Sequence, residues 1–173
     1  FVFPGQGSQT VGMGRALADE YPTANAVFEE VDDALGEKLS ALIWDGPEET
    51  LRLTENAQPA LMATSLATLR ALESLGVELK VAAACVAGHS LGEYSALCAA
   101  GTFSLADTAR LLRLRGQAMQ SAVPVGEGAM AALLGLDIEA AAAIAADAAE
   151  DDICEAANDN APGQVVVSGD KAA

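Results

Sequence analysis

The feature that most constrains the fold is an apolar run, Val81–Val86, that leads directly into the segment Gly-His-Ser-Leu-Gly at residues 88–92. A continuous apolar run of this length is typical of a central strand in a parallel sheet, which is buried on both faces. The helical pattern that follows ends near Ala100, before Gly101. We therefore predict a mixed α/β protein in which a strand, a sharp turn carrying Ser90 and a helix follow one another.

Helical patterns dominate the rest of the first 125 residues, because apolar side chains recur there at intervals of three and four. Residues 54–59 contain turn-forming side chains and are predicted to form a loop. The predicted helices are residues 16–35 with a break at Pro22, residues 61–75 ending before Gly76, and residues 104–121 opened by a capping box of Ser104 and Asp107.

The pattern changes after residue 125, where short strand-like segments alternate with an Ala-rich helix. We predict a strand at Ala129–Leu136, a helix at Ile138–Ala149, an acidic loop and a strand at Gln164–Ser168, after which Gly169 turns into another helix. This order indicates a small, separate subdomain. The predicted division is therefore residues 1–125 and residues 126–173.

Composition excludes several classes of function. The net charge of −16 makes the surface repel phosphates, so no nucleic-acid partner is expected. No apolar run is long enough to cross a bilayer and no segment resembles a secretory signal; we expect no membrane association and a cytoplasmic location, although an organelle matrix also fits. The cysteine spacing suits neither zinc nor a disulfide framework, and Cys85 and Cys98 are expected to be inert core thiols.

The predicted turn holds Ser90 where a nucleophile would be exposed. The flanking glycines leave room for a sharp turn, and the N–H of Leu91 at the helix start points towards a developing oxyanion. A serine hydroxyl needs a base. The one histidine, His89, adjoins Ser90 and points in a different direction, so we expect it to support the turn by hydrogen bonding. Either the base lies beyond Ala173 or the chain is not a serine acyltransferase.

The helix after Ser104 carries an arginine in an unexpected position. At 100° per residue, Arg110 and Arg113 share a polar arc, which is interpreted as an ordinary solvated face. Arg115 falls in the middle of the opposite, apolar arc, formed by Leu111, Leu112, Met119 and Ala122. An unpaired buried charge is very costly, so Arg115 needs a partner. The pattern alone favours an internal carboxylate over the carboxylate of a substrate.

Five motifs, in order along the chain, carry a family resemblance. They are Phe-Pro-Gly-Gln-Gly-Ser-Gln at residues 3–9, Gln-Pro-Ala-Leu at 58–61, Gly-His-Ser-Leu-Gly-Glu-Tyr-Ser-Ala-Leu at 88–97, Arg-Gly at 115–116 with Met-Gln at 119–120, and Asn-x-Asn-x-Pro-Gly-Gln at 158–164. Together they closely resemble the family of malonyl-CoA:acyl carrier protein transacylases of bacterial type II fatty-acid synthesis. The resemblance covers essentially the whole chain.

The resemblance implies a large α/β-hydrolase-like subdomain with an inserted, ferredoxin-like small subdomain, both incomplete in this chain. Residues 1–125 would belong to the first and residues 126–173 to the second. It also implies the roles of individual residues: Ser90 as nucleophile, the backbone N–H groups of Gln6 and Leu91 as oxyanion hole, Arg115 as ligand of the malonyl carboxylate, and Gln58 and Asn160 in support. His89 keeps the supporting role that its position beside Ser90 gives it. For Arg115, the resemblance favours the carboxylate of a substrate over the internal carboxylate that the pattern alone favours.

The activity implied is transfer of a malonyl group from malonyl-CoA to acyl carrier protein through a malonyl-Ser90 ester. No metal and no cofactor are expected, since malonyl-CoA is a substrate. The family's catalytic histidine lies after the insert, and no position up to residue 173 can take its role. We therefore expect the isolated chain to be inactive and to need the remaining C-terminal part of the same enzyme as its partner.

Three alternatives share some of these features. A serine hydrolase of the α/β type would have the same turn, but would give no reason for Arg115 or for the Gly-rich loop after Phe3. An acyltransferase domain of a polyketide synthase would share the motifs, with Leu91 indicating a malonyl rather than a methylmalonyl substrate. If the chain truly ends at Ala173, we expect an inactive fragment that only docks a partner.

Overall fold

The computed structural model describes residues 1–124 and 126–173, which form two compact units, Phe1–Gln120 and Ser121–Ala173. The first unit contains β1 (Val2–Phe3), α1 (Arg15–Glu20), α2 (Pro22–Leu35), α3 (Leu39–Asp45), α4 (Glu48–Leu51), α5 (Thr54–Ser74), α6 (Leu79–Ala82), β2 (Ala87–Gly88), α7 (Leu91–Ala99) and most of α8 (Leu105–Ala122). The second contains β3 (Gly128–Leu134), α9 (Ile138–Ala149), β4 (Cys154–Ala161) and β5 (Gln164–Asp170). The architecture is mixed α/β, as predicted.

Helix α5 is the centre of the first unit. Its residues 56–63 are buried on every side, and the helix packs against α1, α2, α3, α4 and α7. Side chains from these neighbours meet it to form one apolar core, whose largest fully buried members include Phe28, Ile43, Leu51, Met62, Leu66, Leu91 and Leu112. Because α5 is enclosed in this way, its first turns provide a fixed platform for polar side chains.

The predicted helix ends are largely confirmed. Pro22 is the first residue of α2, where its fixed backbone angle favours the helix and its missing N–H costs nothing. The N–H of Asp107 donates to the Ser104 hydroxyl at 3.0 Å, so this pair caps α8. Helices α5 and α7 stop just before Gly76 and Gly101, both of which have positive φ angles.

The predicted strand at Val81–Val86 is wrong. Residues 79–82 form a helical turn, Val81 is 81% exposed, and pairing begins only at Ala87. A strand buried on both faces needs neighbours along its edges. In the described part of the chain, β2 has one neighbouring strand, β1. This strand is parallel to β2 and pairs with residues 87–88 alone.

Two further expectations are corrected. Residues 54–59 open α5 instead of forming a loop, because a single proline removes only one bond of a helix that packing stabilises on every side. Cys85 is exposed, since the strand that would have buried it is not formed. Cys98 is buried as expected, and burial raises the pKa of its thiol, which keeps it protonated and unreactive.

The second unit is an antiparallel sheet of order β3-β5-β4 with α9 joining β3 to β4. Asp137 caps α9 by accepting a hydrogen bond from the N–H of Ala140 at 2.8 Å. Strand β4 occupies part of the predicted acidic loop, and Gly169 lies within β5 instead of turning into a helix. No helix among the described residues has both the length and the apolar character needed to span a bilayer.

Candidate active site

Ser90 lies between β2 and α7, at the strand-to-helix turn predicted from the sequence. It has φ 55° and ψ −114°, one of two positive φ angles at non-glycine positions in the described residues. A serine with this backbone conformation is strained, and such strain is characteristic of functional turns. Leu91 is the first residue of α7 and is buried, so its N–H belongs to the first turn of the helix, where the helix dipole favours negative charge.

Two glycines make this turn possible by their lack of a side chain. A Cβ atom at Gly88 would lie 2.0 Å from the carbonyl carbon and oxygen of Gly92, and one at Gly92 would lie 2.4 Å from the oxygen of Phe3. The second distance shows that Gly92 lies directly against the backbone of β1. Because β1 and β2 are parallel, the loop that follows β1 and the turn that follows β2 lie at the same edge of the pair. Gln6 belongs to that loop.

A chain of hydrogen bonds ends on the Ser90 hydroxyl. Arg115 donates from Nη2 to Ser90 Oγ at 2.8 Å and from Nη1 to Oε1 of Gln58 at 2.5 Å. Gln58 in turn donates from Nε2 to Thr54 Oγ1 at 2.9 Å, and the Thr54 hydroxyl donates to Oε1 of Gln6 at 2.8 Å. The structure thus brings four of the predicted site residues together and adds Thr54, which sequence reasoning missed.

The direction of these bonds matters for the chemistry of Ser90. A guanidinium group only donates, so Ser90 Oγ accepts from Arg115 and its own proton is not used in this contact. The hydroxyl proton therefore remains available to a base. A cation next to the oxygen also favours the developing alkoxide.

Arg115 has no carboxylate within 4.0 Å among the residues that the structure describes. The internal salt bridge favoured by the pattern is therefore absent there. The remaining arginines each pair with a carboxylate: Arg15 with Asp45, Arg52 with Glu48, Arg70 with Glu73, Arg110 with Asp107 and Arg113 with Glu37. Arg115 is half-buried, and the face of Tyr94 lies 5.8 Å from its guanidinium carbon, within range of a cation–π contact.

The apolar arc around Arg115 is only partly buried. Leu111 and Met119 are 39% and 47% exposed, and the buried positions of α8 are Thr108, Ala109, Leu112 and Gly116. Arg115 therefore lies at the margin of the core, which explains how it can be charged without a carboxylate partner.

Arg113 is the second surprise of this helix, since its side chain is 14% exposed and does not lie on a solvated face. Pro59 has no N–H to donate to the carbonyl of Glu55, four residues earlier in α5. Arg113 Nη1 donates to that carbonyl at 2.6 Å and also to Oδ1 of Asn56. Proline inside a helix leaves a carbonyl unpaired, and this signal could have identified the need for a donor.

The other predicted residues are placed as follows. His89 is exposed and lies beside the loop after β1, since a Cβ atom at Gly5 would be 3.3 Å from its Nδ1. Asn160 lies on β4 in the second unit. Within residues 1–124 and 126–173, no group of three or more histidine, cysteine or acidic side chains is arranged to hold a metal ion.

A serine presented in this way can accept an acyl group as an ester, and a cation beside it can bind an acyl group that is itself anionic. The turn and its surroundings therefore have the features of a site that can hold an acyl group on Ser90. Over residues 1–173 the chain matches the family described as acyl transferase domain. The chain belongs to this family.

Three proteins to which the chain is similar, one curated sequence and two solved structures, are all named for malonyl transfer. The chain is 50% identical over 173 residues to the malonyl CoA-acyl carrier protein transacylase of Escherichia coli, covering 100% of this chain and 55% of the relative. An acyl-carrier-protein S-malonyltransferase from Bartonella henselae superimposes with a TM-score of 0.91 at 61% identity, over 98% of this chain and 54% of that one. A malonyl-transacylase solved with a type II polyketide-synthase acyl-carrier protein gives a TM-score of 0.87 at 46% identity, over 98% and 54%. The chain spans about half the length of the curated relatives it matches.

Proposed function

We propose that this chain contributes the acyl-accepting site of a malonyl-CoA:acyl carrier protein transacylase. The observation that carries the proposal is the contact of Arg115 with Ser90 Oγ at 2.8 Å, made by an arginine without a carboxylate partner in the described chain. A malonyl group esterified to Ser90 ends in a carboxylate three carbon atoms from Oγ. The guanidinium is therefore within reach of the one feature that distinguishes malonyl from acetyl, and it binds carboxylates with two parallel hydrogen bonds.

The proposed reaction has two half-reactions through a covalent intermediate. Ser90 Oγ attacks the thioester carbonyl of malonyl-CoA while a base takes its proton. The tetrahedral oxyanion is stabilised by the N–H groups of Leu91 and Gln6. The carbon–sulfur bond then breaks, and coenzyme A leaves as the thiol after taking up the proton.

In the second half-reaction the phosphopantetheine thiol of the carrier protein attacks the malonyl-Ser90 ester. The new thioester forms, the ester bond to Oγ breaks and Ser90 regains its proton. We assign the base to a histidine beyond residue 173, following the family resemblance. His89 supports the turn. A supporting role for Asn160, which lies on β4, stays a prediction of the family resemblance.

The similar proteins support the choice of donor and acceptor. The relatives are named malonyl CoA-acyl carrier protein transacylases, and one similar structure was solved with an acyl-carrier protein bound. The second unit supports the proposed architecture: β3 and β4 are parallel to each other with β5 between them, the arrangement expected of the first three strands of a ferredoxin-like β-α-β-β-α-β unit. The proposal includes no resident cofactor and a cytoplasmic location.

The proposal is tested by incubating the native, full-length protein with malonyl-CoA and reading the mass of the peptide that contains Ser90. We expect a malonyl ester on Ser90 and none in the Ser90→Ala variant, which retains the fold because one atom is removed from a half-buried side chain. An unmodified Ser90 peptide in the active, purified protein would contradict the proposal.

Adding the carrier protein distinguishes transfer from hydrolysis. With the phosphopantetheine-bearing carrier present, the label is expected to move from Ser90 to the carrier thiol. Release of free malonate at the same rate with and without the carrier would instead indicate a hydrolase. No feature of the described residues favours that alternative, since hydrolysis alone gives Arg115 no role.

A further inference from the structure

Gln58 is fully buried, and both the oxygen and the nitrogen of its side-chain amide form hydrogen bonds. Its exposed fraction is 0%, its Oε1 accepts from Arg115, and its Nε2 donates to Thr54 Oγ1 and to Met119 Sδ at 3.3 Å. A buried amide that lost any of these partners would carry the full desolvation cost of an unmade hydrogen bond. Three hydrogen-bond partners, Arg115, Thr54 and Met119, therefore hold the Gln58 amide in one orientation.

The orientation of the amide follows from the partners themselves. Arg115 offers only donors, so the carbonyl oxygen of Gln58 must face it. The sulfur of Met119 is an acceptor, so the amino group must face that side. A flipped amide would put two donors against each other at Arg115. This leaves Gln58 one role, that of a neutral acceptor for Nη1 of the guanidinium.

We propose that Gln58 is a specificity-determining positioning residue, which anchors Arg115 without neutralising it. This inference rests on the proposed function, because it assigns the unbalanced charge of Arg115 to the carboxylate of the acyl donor. Gln58 meets no reacting atom and acts through Arg115. A carboxylate in its place would form an ion pair, as happens at the other five arginines.

Charge is the reason why an amide is required at this position. The chain has 25 acidic and 9 basic side chains, so acceptors that would neutralise an arginine are abundant. A buried carboxylate against Arg115 would interact through a low dielectric, where the attraction is much stronger than in water. The guanidinium would then be neutralised and would attract an anionic acyl group only weakly. An amide keeps the geometry of the contact and leaves the charge available.

Anchoring is the second part of the role. An unanchored arginine has many rotamers, and ordering them on binding weakens the interaction with the ligand. With Nη1 held by Gln58, the other end of the guanidinium is directed at Ser90 Oγ before any acyl group arrives. The site is thus preorganised for an acyl chain that begins at Ser90 and ends in an anion.

The test uses three variants of the native, full-length protein and two donors, malonyl-CoA and acetyl-CoA. Gln58→Glu has nearly the same shape as the native residue and adds a negative charge. Gln58→Met keeps the volume and removes the acceptor. Gln117→Glu adds the same charge at an exposed position of α8, two residues from Arg115, and serves as the matched control. Formation of acyl-Ser90 is measured as kcat/KM for each donor, and thermal unfolding is followed in parallel.

We expect Gln58→Glu to lower kcat/KM for malonyl-CoA by about 10- to 100-fold, the range of a lost interaction with a charged group, with a much smaller change for acetyl-CoA. Gln58→Met should lower the malonyl value by less, and Gln117→Glu should leave both donors unchanged. A purely structural role would lower both donors together, in parallel with the melting temperature. Equal losses for both donors, or no loss in Gln58→Glu, overturn the inference.

The design separates this inference from the proposed function. If the wild-type protein forms no malonyl-Ser90, the proposed function itself fails. If the wild type forms it and Gln58→Glu retains the wild-type preference for malonyl over acetyl, only the inference fails. If Gln58→Glu does not fold, Gln58→Met decides, because a loss independent of the donor in that variant is incompatible with a role through Arg115.

Discussion

Arg115 shows how neutral groups can stabilise a charged side chain without cancelling its charge. The amide of Gln58, the hydroxyl of Ser90 and the ring of Tyr94 surround the guanidinium. Each offers a partial negative charge, and together they offset the cost of withdrawing a cation from water. None of them carries a full charge, so the attraction towards an incoming anion persists. The same residue contacts Ser90 Oγ, so under the proposed function one guanidinium would take part both in recognition of the acyl group and in its attachment.

The Arg115→Ala variant should separate these two contributions. We expect kcat/KM for malonyl-CoA to fall by about 100-fold, as for a lost bidentate contact with a carboxylate, while acetyl-CoA loses only the contact with Ser90 Oγ. Formation of acyl-Ser90 with each donor is the measurement. Arg110→Ala, which removes an exposed, ion-paired arginine of the same helix, is the control and should leave the ratio of the two donors unchanged. A ratio that Arg115→Ala also leaves unchanged would refute the carboxylate role.

The sequence predicted the elements that local signals determine and missed those that depend on distant partners. The turn at Ser90 and the helices that follow it are specified by glycines and a capping box within the segment itself. Residues 54–59 were misread because turn-forming residues were weighed without the packing that encloses α5. Val81–Val86 was misread because an apolar run does not specify where its pairing begins. The partners of Arg113 and Arg115 lie some 57 residues away on another helix, which periodicity does not reveal.

Helices α5 and α8 meet at a point where a side chain would not fit. A Cβ atom at Gly116 would lie 2.4 Å from Glu55 Cα and 2.8 Å from the oxygen of Thr54, closer than real Cβ atoms approach the backbone. Arg113 reaches the same stretch of α5, and Arg115 reaches Gln58 one turn further on. The glycine therefore sets the distance between the helices on which the position of both guanidinium groups depends.

Gly116→Ala is expected to lower the free energy of unfolding by about 1–3 kcal/mol, the usual cost of overpacking, despite the higher helix propensity of alanine. Urea denaturation of the full-length protein measures the change. Gln117→Ala, at the neighbouring exposed position, is the control and should leave stability nearly unchanged. A Gly116→Ala protein as stable as the wild type would show that α8 can move away from α5 without penalty, contrary to the close approach in the structure.

The two compact units differ greatly in the size of their cores. In the first, side chains from seven helices and β1 pack around α5. In the described part of the second, the buried apolar residues are Ala141, Ala145, Val165 and Val167. Strand β3 exposes Met130 and Leu134, and among the described residues it pairs along one edge, with β5. Because buried apolar area is the main stabilising term, the two units should not be equally stable.

Hydrogen exchange of the native protein measures this difference directly, because segments that bury little apolar surface open at lower free energy. We expect the amides of β3 to exchange at least about tenfold faster than those in the buried stretch of α5, residues 56–63, since tenfold corresponds to only about 1.4 kcal/mol. Both segments are read from the same digest, so solution conditions are identical for the two. Equal protection in β3 and α5 would mean that the units open together as one cooperative structure, and that the small core of the second unit is stabilised by more than its own buried side chains.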